Sequence, residues 1–166
     1  MTRVHTTSRG GLVAAPVEVV FSATLSLPLP QLYSRRYGPM PPIVAVRNQS
    51  GPWDTLGRTR VLLTADGGAM HEELVSLSPP DAFTNRLTVL RGPFRPLVSG
   101  LEETWSFRPV GSGTEATWEW TLHPRSAAAG LLAPLVGWLW RGYADGVLAQ
   151  LRQEVAAGPE RAEPPG

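Results

Sequence analysis

The C-terminal stretch constrains the fold most. From Ser126 to Ala157, apolar side chains recur every three or four residues, as Leu132, Val136, Leu139, Tyr143, Val147, Leu151 and Val155. That spacing lays one continuous stripe along an α-helix. Ser126 suits an N-cap, and Gly158 followed by Pro159 ends the run. Pro134 falls late for a first turn, so it either kinks the helix or delays its start. At a rise of about 1.5 Å per residue the element reaches roughly 45 Å. A helix with such a stripe must bury it, and the rest of the chain offers strands to bury it against.

Those strands are punctuated by turns. VEVVFSATLSL (17–27) is β-branched and apolar and reads as a strand, stopped by Pro28 and Pro30. QLYSRRYG (31–38) reads as a short helix, PMPP (39–42) as a rigid connection and IVAVRNQ (43–49) as a strand. GRTRVLLTA (57–65) and MHEELVSL (70–77) flank DGG, a strong hairpin signal. PPD turns the chain into AFTNRLTVL (82–90), and LVSGLEETWSF (97–107) and TEATWEWTL (114–122) flank GSG. Residues 1–15 and 158–166 read as loose tails around a single domain, 16–157. The expected architecture is α+β: a curved antiparallel sheet of about seven strands gripping one long C-terminal helix. Such a sheet curves more than one helix can fill, and the space left between them is an internal cavity suited to a small molecule.

Composition narrows the function. The formal net charge is +1, and no arginine-rich stripe forms a nucleic-acid footprint. All 15 basic residues are arginine, so no lysine is available for a Schiff base. Without cysteine there is no disulfide, thiolate nucleophile or thiolate metal site. The three histidines are scattered without ligand spacing, which argues against zinc. No serine sits in a G-x-S-x-G elbow, and GSGT (111–114) joins strands rather than opening a helix on a phosphate. The opening residues lack the apolar core of a signal peptide. The longest apolar run, LLAPLVGWLW (131–140), is about half of the roughly 20 residues that span a bilayer. A soluble, cytoplasmic protein without membrane insertion is expected; homodimerisation is left open.

Several stretches, taken in order, resemble the SRPBCC superfamily of START-type lipid-transfer domains, pollen-allergen-type proteins and polyketide cyclases or aromatases. They are GRTR (57–60), DGG (66–68), ELVSLSPPDAF (73–83), TWSF (104–107), and GT (113–114) leading into TW (117–118), all ahead of the long last helix. The resemblance covers about 17–157 and speaks to fold more than to function. It implies a deep apolar pocket between sheet and helix, with no metal or organic cofactor in most cyclase-like members.

Strand parity sorts the polar candidates. Leu101, Glu103, Trp105 and Phe107 share one face, as do Ala116, Trp118, Trp120 and Leu122. These apolar sets must face the helix, so Glu103 is expected inward unless a bulge near Gly100 resets the parity. His71, Glu73, Val75 and Leu77 are in phase, as are Phe83, Asn85, Leu87 and Val89. The 58–64 strand is ambiguous, and the resemblance favours Arg60 inward. Glu103, Glu73, Arg60 and His71 are therefore the expected catalytic set. Asn85, Leu87, Trp105, Phe107, Trp118, Trp120, Leu139 and Tyr143 are expected to meet the ligand. A carboxyl among indoles without a cationic partner would have a raised pKa, suited to acid/base work near neutral pH. The plainer reading is an internal Arg–Glu pair that holds the sheet together. Two functions follow: a cofactor-independent polyketide cyclase or dehydratase-like enzyme, or a non-catalytic carrier or sensor of a polyketide, lipid or aromatic metabolite. A partner-binding regulator is a weaker third, which would show an exposed apolar patch and no cavity.

Overall fold

The computed structural model describes residues 2–158. The chain runs β1 (His5–Val13), α1 (Val17–Ser26), α2 (Leu29–Leu32), β2 (Ile43–Arg47), β3 (Thr59–Thr64), β4 (Ala69–Ser78), β5 (Ala82–Arg91), β6 (Val98–Val110), β7 (Gly113–Pro124), α3 (Ala127–Gly130) and α4 (Ala133–Ala157). Seven strands form one sheet in the order β1-β7-β6-β5-β4-β3-β2. Every neighbouring pair is antiparallel. This is the expected helix-grip fold, although two of its parts come from other stretches of chain.

The first correction is at the N-terminus. Most of the stretch read as a loose tail is β1, paired with β7 from His5 opposite Leu122 to Val13 opposite Thr114. Its residues carry little apolar alternation, because an edge strand needs only its backbone groups paired on one side. The second correction follows it. Residues 17–27 form α1, not a strand. Val17, Val20, Phe21 and Thr24 are its buried residues, at helical spacing, and burying them on the core outweighs the strand preference of the valines. The Thr24 and Ser26 hydroxyls donate back to the carbonyls of Val20 and Ser22, at 2.8 and 2.6 Å. The expected tail at 158–166 lies outside the described residues apart from Gly158.

The last helix starts late. Ser126 caps the one-turn α3, accepting from the Ala129 N–H at 3.1 Å. Pro134 then stands in the first turn of α4, where its missing N–H leaves no bond unmade. Val136, Trp140, Tyr143, Val147 and Leu151 of α4 are buried against the sheet. Gly142 leaves room for a neighbouring ring: a Cβ there would come within 2.1 Å of Tyr37. Tyr37 belongs to the α2–β2 connection, which is thereby seated on α4.

Candidate functional site

The site is built on the inner faces of β3 to β7. On β6 the parity holds despite a bulge between Val98 and Gly100, and Glu103 points inward at 5% exposure. On β4 it does not hold. A bulge between Leu74 and Ser76 resets the alternation, so Leu74 and Leu77 both pack on the core although they are three residues apart. Upstream of the bulge the inward carboxylate is therefore Glu72, at 1% exposure. Glu73 and His71 lie on the opposite face, half-buried, where Glu73 stands opposite Thr59 and Arg86. Two expected site residues thus face away from the interior. Glu72 was missed because a parity anchored at Leu77 cannot register an unseen bulge.

Arg60 settles the ambiguous strand: it is buried, and its Nε donates to Oε2 of Glu72. Its guanidinium lies over the Trp53 indole, 3.8 Å from the ring centroid, and Nη1 reaches Gln49 Oε1 at 3.4 Å. Trp53 in turn donates from Nε1 to Asn85 Oδ1 at 3.2 Å. Asn85 Nδ2 donates to Glu103 Oε1 at 3.0 Å. One buried polar chain therefore crosses β3, β4, β5 and β6.

The two carboxyl groups in it differ sharply. Glu72 has a guanidinium partner; Glu103 has only an amide. Burial, followed by repulsion from Glu72, pushes the Glu103 pKa up from 4.5 to about 8, against the opposing pull of Asn85 and Arg60. A protonated Glu103 can also share its proton with Glu72. The result is a neutral acid beside a partnered carboxylate, the arrangement from which acid and base roles are drawn. Burial and Glu103 also raise the Tyr33 and Tyr143 pKa values, so both phenols remain O–H donors at neutral pH.

An apolar cavity of about 100 Å³ opens onto this pair. Glu72, Glu103, Leu87, Trp118, Trp120 and Tyr143 are on its wall, and Pro93 and Phe94 of the β5–β6 loop are on its rim. Of the expected ligand residues, Asn85, Trp105, Phe107 and Leu139 stand outside that wall. Asn85 holds Glu103 from behind. Trp105 stacks on Trp118 at 5.0 Å and 9°, and Phe107 packs edge-on to Phe21 at 5.5 Å. Trp140, not expected at the site, meets Trp118 and Trp120 at 5.1 and 5.0 Å. The indole N–H groups of Trp105, Trp118, Trp120 and Trp140 are buried without a protein acceptor. Among the described residues no three of His, Asp and Glu gather as metal ligands would, and no helix is long and apolar enough to cross a membrane.

A strongly bent sheet gripping a long helix, with an apolar chamber and a buried acid between them, defines a helix-grip cavity protein. The family model described as polyketide cyclase / dehydrase and lipid transport matches residues 1–156, and the chain belongs to that family. A search among curated proteins found no match. Solved structures share the fold at low identity. Ara h 8.0201 superposes with a TM-score of 0.72 at 13% identity, over 94% of this chain and 100% of that one. Norcoclaurine synthase from Thalictrum flavum, in complex with dopamine and hydroxybenzaldehyde, gives 0.66 at 13% identity, over 95% and 89%. DynU16, from the dynemicin biosynthetic locus, gives 0.62 at 17% identity over 92% of this chain, which spans 48% of that longer one.

Proposed function

We propose that the protein binds a hydrophobic, oxygen-bearing small molecule in the cavity and acts on it as a cyclase or dehydratase-like enzyme without a cofactor. The observation that carries this reading is Glu103: a carboxyl with a pKa raised to about 8, on the wall of an apolar chamber, beside an arginine-paired carboxylate. At neutral pH it has a proton to hydrogen-bond to a ligand carbonyl, which it polarises, or to give to a departing hydroxyl, which leaves as water. In the second case the Glu72 carboxylate on the same wall takes the proton from the adjacent carbon and the double bond forms. Asn85 and Arg60 steady the Glu103 carboxylate that remains, as both favour the ionised form. Trp118 and Trp120 give the wall broad aromatic faces, and Glu103 beside them suits a ligand that carries a carbonyl or hydroxyl oxygen. The family description and the biosynthetic neighbour support a polyketide-like substrate. At about 100 Å³ the cavity takes a small ring, and a polyketide-sized ligand requires the Phe94 loop to swing outward.

The test separates binding from turnover. Poly-β-ketone thioester mimics are offered to the wild type and to Glu103→Gln. Cyclised or dehydrated product from the wild type only, with equal quenching of tryptophan fluorescence in both, supports the enzyme. A carrier is the second reading, favoured by the way Arg60, Glu72, Trp53, Asn85 and Glu103 satisfy one another without a ligand. Quenching in both proteins without product selects the carrier, and no quenching defeats both readings.

A further inference from the structure

We propose that the α3–α4 end of the molecule docks on an anionic lipid surface. Leu131, Leu132, Leu135 and Trp138 are all exposed there, Leu131 at 83% and Trp138 at 55%. Leu131 and Leu132 are adjacent at the break between α3 and α4, and Leu135 and Trp138 follow at three- or four-residue spacing, so the four form a single apolar ridge on the solvent side. The opposite side of the same helical turns is buried, with Val136 on the cavity wall. Among the described residues nothing covers the ridge, and clustered apolar exposure of this kind marks a contact surface.

The charges around it name the partner. Arg125 and Arg141 flank the ridge along the chain, and both are exposed. Arg125 donates from Nε to the Arg95 carbonyl at 2.6 Å, which brings exposed Arg95 to the same end, with Arg91 at the start of that loop. Segments 82–101 and 120–144 contain no aspartate or glutamate. An otherwise nearly neutral protein thus gathers three exposed arginines, Arg95, Arg125 and Arg141, at the end that carries the apolar ridge. A tryptophan and leucines flanked by arginines is the composition of a helix that rests in a lipid headgroup layer. The most exposed residue of the ridge, Leu131 at 83%, sits at the break between α3 and α4 and projects into solvent. A fluid bilayer accepts such a projection anywhere, whereas a protein partner must supply a matching groove. Docking in this orientation brings the Phe94 rim of the cavity towards the membrane. It stands independently of what the cavity binds.

Flotation of the full chain with vesicles tests it. Phosphatidylcholine vesicles containing phosphatidylglycerol should carry the wild type, phosphatidylcholine alone should carry far less, and added salt should release it. Leu131→Ser with Trp138→Ser should weaken partition by more than about tenfold. Arg125→Gln with Arg141→Gln should weaken it on anionic vesicles only. These residues are exposed, so unchanged circular dichroism confirms that the variants fold. Failure of the wild type to float with anionic vesicles overturns the assignment, as does partition indifferent to both double substitutions. Concentration-dependent self-association abolished by the same substitutions, in place of flotation, assigns the ridge to a second copy of the chain and overturns it too.

Discussion

Asn85 donates from Nδ2 to Oε1 of Glu103 over 3.0 Å, and its own Oδ1 is held by the Trp53 indole. The amide cannot flip without losing both bonds, so its donor is fixed towards the acid. That bond favours the ionised carboxylate and is the strongest restraint on a pKa that burial and Glu72 otherwise drive up. Asn85→Leu should therefore raise the Glu103 pKa beyond about 8. Carboxyl infrared bands followed through a pH titration report it. An unchanged midpoint would mean that the amide contributes only to packing.

Glu103 also gives stability a definite pH dependence. In the folded chain it holds its proton to about pH 8, while the ordinary value, met on unfolding, is 4.5. Between these values the folded state binds more protons than the unfolded one. Stability from this group is complete below the lower value and is lost as pH rises through the upper one. Glu103→Gln is always neutral, so it should lack that decline and exceed the wild type above pH 8 by a few kcal/mol. Urea midpoints from about pH 5 to about pH 9 test it. Parallel curves for the two proteins would show that Glu103 is solvated in solution.

Most of the sheet was legible in the sequence. DGG and GSG mark real hairpins, and alternation placed Glu103, Asn85 and Trp105 on the inner face. What escaped has physical causes. Val17, Val19 and Val20 suggested a strand because strand propensity is local, whereas the core that captures Val17, Val20, Phe21 and Thr24 as a helical face is not. The residues of β1 have no pattern to read, since the partner strand β7 supplies its register from more than a hundred residues away. The adjacent glutamates present one carboxylate to each face, and the bulge after Leu74 decides which is buried.

That decision can be measured. Glu72→Gln takes from buried Arg60 its direct ion-pair partner, leaving it the Trp53 ring and the more weakly coupled Glu103, and should cost about 3–5 kcal/mol. Glu73→Gln, on the outer face, should stay within about 0.5 kcal/mol of the wild type. Chemical denaturation of the two single variants distinguishes them. Equal losses, or a larger loss at Glu73, would reverse the assignment of the inward carboxylate.

The rim of the cavity offers the last prediction. Gly92 has φ +115°, and a Cβ on it would lie 2.7 Å from the Gly68 Cα. The β3–β4 turn and the β5–β6 loop therefore touch backbone to backbone, and neither has a flexible side chain to give way. Gly67, one residue from that contact, has φ +83° and open space around it. An alanine at Gly67 meets only the backbone penalty, about 1 kcal/mol. At Gly92 it adds displacement of one loop from the other, for a total of roughly 2–4 kcal/mol. Because Gly92, Pro93 and Phe94 border the cavity, the displaced loop should also admit an apolar fluorophore such as 1-anilinonaphthalene-8-sulfonate more readily. Thermal unfolding and dye binding together check this. Matching losses in Gly67→Ala and Gly92→Ala would show that the two loops do not meet in solution.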